Sequence, residues 1–397
     1  MSSSHKIYFF SPYDIQRPRT NQLADVHFCE GLQQAGCELT LFVPTVFRKE
    51  NVKRKKINET YGVEEPFRIR YLFTPTSRDL SGRLLVSLLS CYHCFIVVSQ
   101  FFKRKSRKPV IISRNPRLMY PLVLLKKNLG FLPWPELVLW MHEVKLDQPR
   151  QVKLYSEVDR LLCTNSAIKE DLAEIEGITA EDICVTLNPV TAAQAREELT
   201  KKEAREKLKL DETLQLVVYT GKLFIGHKEA DYIVEAARLL PQYHFLLTGG
   251  KPEVVRHFQD YCEAQGIGNM TFTGYAYDYT QIRYYQQAAD VLVSYYTPNE
   301  HIVRYNFPLK IMEYMLTGNP IVTPDFASTR DVLNSQTAIF CQAENTEALA
   351  NAIGTAFGEE GQQIGTAARM LARKTTYKSL GIKIKAFIFE NTGDIVG

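Results

Sequence analysis

The sequence predicts an α/β protein built from two successive doubly wound, Rossmann-like domains that face a cleft. Three observations predict it. The chain has 397 residues, more than one core of ordinary size takes. Short apolar runs alternate with amphipathic helical stretches through the first half, the pattern of βαβ units. The alternation restarts at Leu214, after a charged, helix-forming stretch from Thr191 to Asp211, with no sequence repeat between the halves. The expected domains are 1–190 and 191–376, followed by a last helical segment over about 377–397.

In chain order, Lys6 to Phe10 reads as a strand and Ser11 to Thr20 as a polar loop with two prolines. Asn21 to Ala35 is an amphipathic helix ended by Gly36, and Glu38 to Val43 is the next strand. The first turn has no G-x-G-x-x-G, so a dinucleotide-binding reading has little support. Further strands are expected at Phe67–Phe73, Val110–Ser113, Leu137–Met141, Arg160–Thr164 and Ile183–Leu187. A helix from about Leu80 to Lys103 ends in KRKSRK and has two readings: a core helix with a basic end, or a monotopic surface helix meeting anionic head groups. In the second half, strands are expected at Leu216–Thr220, His244–Thr248, Met270–Thr273, Val291–Ser294, Ile321–Thr323 and Ala338–Cys341.

Composition narrows the class. Hydrophobic residues at 45% and charged residues at 23% are globular values. A net charge of +4 argues against a dedicated nucleic-acid binder. The basic residues are clustered at 48–56 and 103–108, which fits peripheral contact with an anionic membrane. The eight cysteines are scattered, often inside apolar runs, as reduced buried cysteines are. Cys91 and Cys94 have no second ligand pair at metal-site spacing, so packing is favoured over zinc. The N-terminus is polar and then strand-like, without a leader pattern, so the expected compartment is cytoplasmic.

The stretch most suited to chemistry runs from Tyr305 to Thr323, YNFPLKIMEYMLTGNPIVT. Pro308 and Leu309 open a short helix, Gly318 ends it, and Pro320 prevents a restart before a buried strand. Lys310 and Glu313, three apart, share one helical face. A helix N-terminus with a lysine suits an anion, and a glutamate one turn on suits sugar hydroxyls. The plain alternative is an ordinary helix with an exposed Lys and Glu. Upstream, Gly221 and Lys222 follow a strand and Lys228 opens a helix, a phosphate cradle without a Walker motif or else two surface lysines on a loop. Gly249 and Gly250 end a strand, where backbone approaches a ligand closely. Tyrosines 277, 279, 284 and 285 suit base stacking or ordinary packing. In the first half, His142 and Glu143 end one strand and Arg114 and Asn115 another, where an α/β fold presents ligand-binding residues.

The 305–323 stretch resembles the signature of the retaining glycosyltransferases of family 4, which have the GT-B fold. Their usual form is one Glu, seven residues, a second Glu and a small-Gly-x-Pro tail. Glu313 matches the second Glu, Met315 to Val322 matches the tail, and Tyr305 stands where the first Glu falls. Phe307 to Lys310 is similar to the Ser-Pro-x-Lys variant of some members. The resemblance extends to Gly-Lys-Leu at 221–223 with Lys228, the cations that hold the donor pyrophosphate in the family. It implies that Gly274, Tyr275 and Ala276 frame the nucleobase and that His142 is an active-site residue near donor sugar and acceptor, with Glu143 beside it. Arg19 and Thr20 fall in the family's acceptor-side loop, and the last helix is expected to close back on the first domain. The activity implied is transfer from a UDP- or GDP-sugar to a glycan, lipid-linked or small-molecule acceptor. His142, Lys222, Lys228 and Glu313 would be the catalytic set, with no cofactor and no metal, since the chain has no Asp-x-Asp. A non-catalytic partner subunit and another GT-B enzyme, such as a nucleotide-sugar epimerase, are the alternatives.

Overall fold

The computed structural model describes residues 5–13, 15, 20–46, 60–74, 109–132, 134–226, 229–276, 279–305 and 309–390. They divide into two compact units, Met1–Leu187 with Thr376–Gly397, and Asn188–Thr375. The expected helix over 80–103, the basic clusters 48–56 and 103–108, and Cys91 and Cys94 lie outside the described residues.

The first unit is a parallel sheet of β1 (His5–Phe10), β2 (Cys37–Val46), β3 (Arg68–Thr74), β4 (Val110–Ser113), β5 (Glu136–Met141), β6 (Arg160–Cys163) and β7 (Ile183–Val185). The strand order is β3-β2-β1-β4-β5-β6-β7. Central strands such as Val110–Ser113 are buried along their whole length, as strands covered on both faces must be. β7 stops two residues short of the expected Leu187. Thr186 there bonds to the neighbouring strands instead: its amide and hydroxyl both donate to the Cys163 carbonyl, and its hydroxyl accepts from the Trp140 indole. The helices are α1 (Thr20–Gln34), α2 (Pro116–Asn128), α3 (Pro149–Glu157) and α4 (Ser166–Ala173). The last helix of the chain, α15 (Tyr377–Phe389), packs on α1 in this unit. Their backbones nearly touch, since a Cβ built on Gly381 would lie 2.1 Å from the Gly31 carbonyl oxygen.

The second unit is a parallel sheet of β8 (Leu216–Thr220), β9 (His244–Thr248), β10 (Met270–Gly274), β11 (Val291–Val293), β12 (Ile321–Pro324) and β13 (Ile339–Cys341), in the order β10-β9-β8-β11-β12-β13. Around it run α5 (Ala192–Arg196), α6 (Lys201–Leu208), α7 (Glu229–Leu239), α8 (Pro252–Ala264), α9 (Tyr279–Ala288), α10 (Glu300–Arg304), α11 (Leu309–Thr317), α12 (Ala327–Arg330), α13 (Thr346–Ala356) and α14 (Glu359–Lys374). The charged stretch 191–211 forms two short helices because Thr191 and Thr200 each begin a capping box, with Gln194 and Glu203. Each sheet reverses its strand order once, between β1 and β4 and between β8 and β11. In open α/β sheets, ligands bind outside the carboxyl ends of the strands at such points. Among the described residues no helix is long and apolar enough to cross a membrane, and the six described cysteines are buried and free.

Candidate active site

The carboxyl edge of the second sheet carries most of the predicted donor residues. Three glycine turns are knitted there by backbone bonds. The Gly221 amide donates to the Thr248 carbonyl at 3.1 Å and the Gly249 amide to the Gly274 carbonyl at 2.8 Å. Only glycine fits at 249, where φ is +129° and an added Cβ would lie 1.8 Å from the Gly221 oxygen. Lys222 is exposed on the following loop, as are Phe224, Ile225 and Tyr275, while Ala276 is half-buried. Two buried hydroxyls at this edge, Thr248 Oγ1 and Ser294 Oγ, have no hydrogen-bond partner among the described residues, a cost usually borne for a reason.

Glu313 lies on the second turn of α11. Its Oε2 accepts from Gln286 Nε2 of α9 at 2.9 Å, and the same amide donates to Thr220 Oγ1 at 3.2 Å. Tyr314, the next residue, has its hydroxyl oxygen against the Thr220 amide at 2.8 Å, which ties α11 to the end of β8. Glu313 and Gln286 open into a small polar recess with Gln194, Glu197 and Arg283, the last two ion-paired. One turn earlier on α11, the Lys310 ammonium lies over two rings, 4.1 Å from the centroid of Tyr219 and 4.6 Å from that of Tyr296. Burial pushes its pKa down to about 7, against the pull of Glu229 and Glu313. Leu309, at the start of the helix, is partly exposed. Lys228 and Pro308 lie outside the described residues.

In the first unit the structure gathers His142 and Arg114 into one cluster. Arg114 Nη1 meets Asp25 Oδ1 at 2.6 Å, and Ser11 Oγ donates to Asp25 Oδ2 at 2.6 Å. The guanidinium lies 4.8 Å over the Trp140 ring, which also has the His142 imidazole at 5.2 Å and Phe28 stacked at 4.2 Å. His142 Nε2 is buried with no hydrogen-bond partner among the described residues. Burial, and then the Arg114 charge, push the imidazole pKa down to about 3, so the ring is neutral. Glu143 is exposed and turned to Lys145 at 2.9 Å. Asn115 caps α2, its Oδ1 accepting the Arg117 amide at 3.0 Å. Thr20 begins α1, and Arg19 lies outside the described residues.

Several participants were not singled out in the sequence. Gln286 joins Glu313 across 27 residues, and Asp25 joins Arg114 across 89, separations that leave no local pattern. Tyr219 and Tyr296 had a faint signal, since each lies close to the carboxyl end of an expected strand.

Residues 215–358 match the family described as glycosyl transferases group 1. No curated protein sequence matches the chain. Solved structures share its fold over nearly their full length. A glycosyltransferase from Rickettsia africae is 14% identical, over 98% of this chain and 100% of that one, with a TM-score of 0.71. HepE from Anabaena, in complex with UDP, is 16% identical over 97% and 100%, with a TM-score of 0.67. Sucrose-phosphate synthase from Thermosynechococcus elongatus is 16% identical over 97% and 98%, with a TM-score of 0.64. Within the unit from Asn188 to Thr375, residues 215–358 thus match the glycosyl transferases group 1 family, and the chain as a whole has the GT-B fold of these solved structures.

Proposed function

We propose that the protein is a retaining enzyme of the family 4 type that moves a sugar from a UDP- or GDP-sugar to a glycan, lipid-linked or small-molecule acceptor, in bacterial-type polysaccharide or glycoconjugate synthesis. The observation that carries this reading is the Glu313 carboxylate, held by Gln286 one turn from Lys310, on a helix that starts beside the glycine turns. Glu313 takes the ribose hydroxyls. Lys310, Lys222 and Lys228, with the amides of the first turn of α11, carry the charge of the departing diphosphate without a divalent ion. Tyr275 offers an exposed ring for the base, and the UDP bound by HepE supports a uridine donor. In the first unit, neutral His142 serves as a hydrogen-bonding group for sugar hydroxyls, kept uncharged by its burial and then by the Arg114 charge. In a front-face reaction the leaving phosphate oxygen takes the acceptor proton, and the new bond keeps the anomeric configuration. The buried free thiols suit a reducing, cytoplasmic compartment, at the inner membrane face where the acceptor is lipid-linked.

The test is a panel of UDP-, GDP- and ADP-sugars with excess EDTA, scoring donor hydrolysis and transfer, with Lys222→Ala as control and the product anomer read by NMR. Turnover that survives EDTA, falls in the control and retains configuration is expected. Loss with EDTA refutes the metal-independent step, and inversion assigns a different GT-B chemistry. No turnover with any donor favours a non-catalytic subunit, a reading for which Tyr305 at the place of the first Glu is the motivating observation. That residue closes α10, its amide donating to the His301 carbonyl at 2.8 Å.

A further inference from the structure

Lys310 is placed as few lysines are. Its ammonium lies on the faces of Tyr219, from β8, and Tyr296, beyond β11, at 4.1 and 4.6 Å. Aromatic faces attract a cation but give its N–H donors no oxygen. Among the described residues no carbonyl, carboxylate or hydroxyl accepts a hydrogen bond from this ammonium. Two carboxylates influence it from farther off, Glu229 at the start of α7 and Glu313 on its own helix, and Tyr314 follows Glu313. Neither carboxylate is within ion-pair distance. Lys310 also sits in the first turn of α11, where the helix dipole opposes a positive charge. Every element packed on the side chain therefore either leaves the proton unsupported or supports it only at a distance.

We infer that Lys310 takes up a proton from solvent as the nucleotide diphosphate binds, so that the ligand itself charges the site. The inference rests on reading the second unit as the donor site. The oxygens of a diphosphate supply the acceptors that the two rings cannot, and its negative charge stabilises the ammonium over the amine. The empty site then avoids the full cost of a desolvated charge, and the cation is complete when the leaving group needs it. The position of the Lys310 equilibrium, near neutrality before binding, agrees with this order of events. The sign follows from linkage. Above pH 7 the free protein holds fewer protons on this residue than the complex, so nucleotide affinity falls as pH rises, by up to about tenfold per unit.

The test is calorimetric titration of the full chain with UDP, and separately with GDP, at pH 8 in HEPES and in Tris buffer. The dependence of the observed heat on buffer ionisation enthalpy counts the protons exchanged. Wild type is expected to take up nearly one proton per nucleotide, about 0.9 for a group that titrates near 7. Lys310→Arg, charged at every pH, is expected to bind with no uptake, and Lys310→Met to bind more weakly, also with none. Binding without uptake by wild type, or uptake that persists in Lys310→Met, overturns the inference while leaving the donor site in place. If neither nucleotide binds, the donor reading fails and the inference fails with it.

Discussion

At residue scale Glu313, which accepts the ribose hydroxyls under the proposed function, is held by Gln286. Replacing Gln286 with Leu removes a bond to a charged partner and leaves Thr220 Oγ1 without that donor. Steady-state kinetics of Gln286→Leu should show the donor KM raised roughly five- to tenfold, about 1–1.4 kcal/mol, with kcat moved less. A fall in kcat at unchanged KM would assign Gln286 another role. His142 gives a prediction in pH. Its ordinary value is 6.5 and its folded value about 3, so the fold favours the neutral ring. The corresponding stability is complete above pH 6.5 and is lost as pH falls from there towards 3, because the unfolded chain then binds the proton that the folded chain refuses. His142→Asn should therefore flatten the decline of denaturation midpoint between pH 7 and pH 5. An equal decline in both proteins would show that the ring is solvated. The Lys310–Glu313 pair was legible in the sequence because three-residue spacing on a helix is local. Gln286 and Asp25 were not, because only the folded sheet brings them to their partners.

At the scale of elements, α11 and the glycine turns form one edge, while α1 and α15 close the back of the first unit. The turns were legible, since a glycine at a strand end followed by a lysine suggests its own conformation. Gly249 goes further than that pattern: its backbone angle and the Gly221 oxygen together exclude any side chain. The contact of α1 with α15 depends on glycines some 350 positions apart in sequence, and nothing local in either helix marks it. Gly381→Ala tests it. The added methyl would meet the Gly31 carbonyl oxygen and carbon at 2.1 and 2.4 Å, so the helices must part. The cost expected is about 1–3 kcal/mol, read as a lower thermal midpoint of the first unit. Unchanged stability would mean that the two helices are not in contact in solution.

At the scale of the molecule, the two sheets share a plan. The fold class was legible because parallel strands buried on both faces leave unbroken apolar runs that alternate with helices. The strand orders, and so the switch points, were not legible, because spatial order is set by crossover connections rather than by the strands themselves. That order puts a switch point at the carboxyl edge between β8 and β11, the place proposed for the nucleotide. The most direct test of the account is amide hydrogen exchange with and without saturating UDP or GDP. Protection is predicted at 220–223, 248–250, 273–276 and 309–314, the turns and helix start along that edge. Protection confined to other strands or helices, or none with either nucleotide bound, would contradict the account.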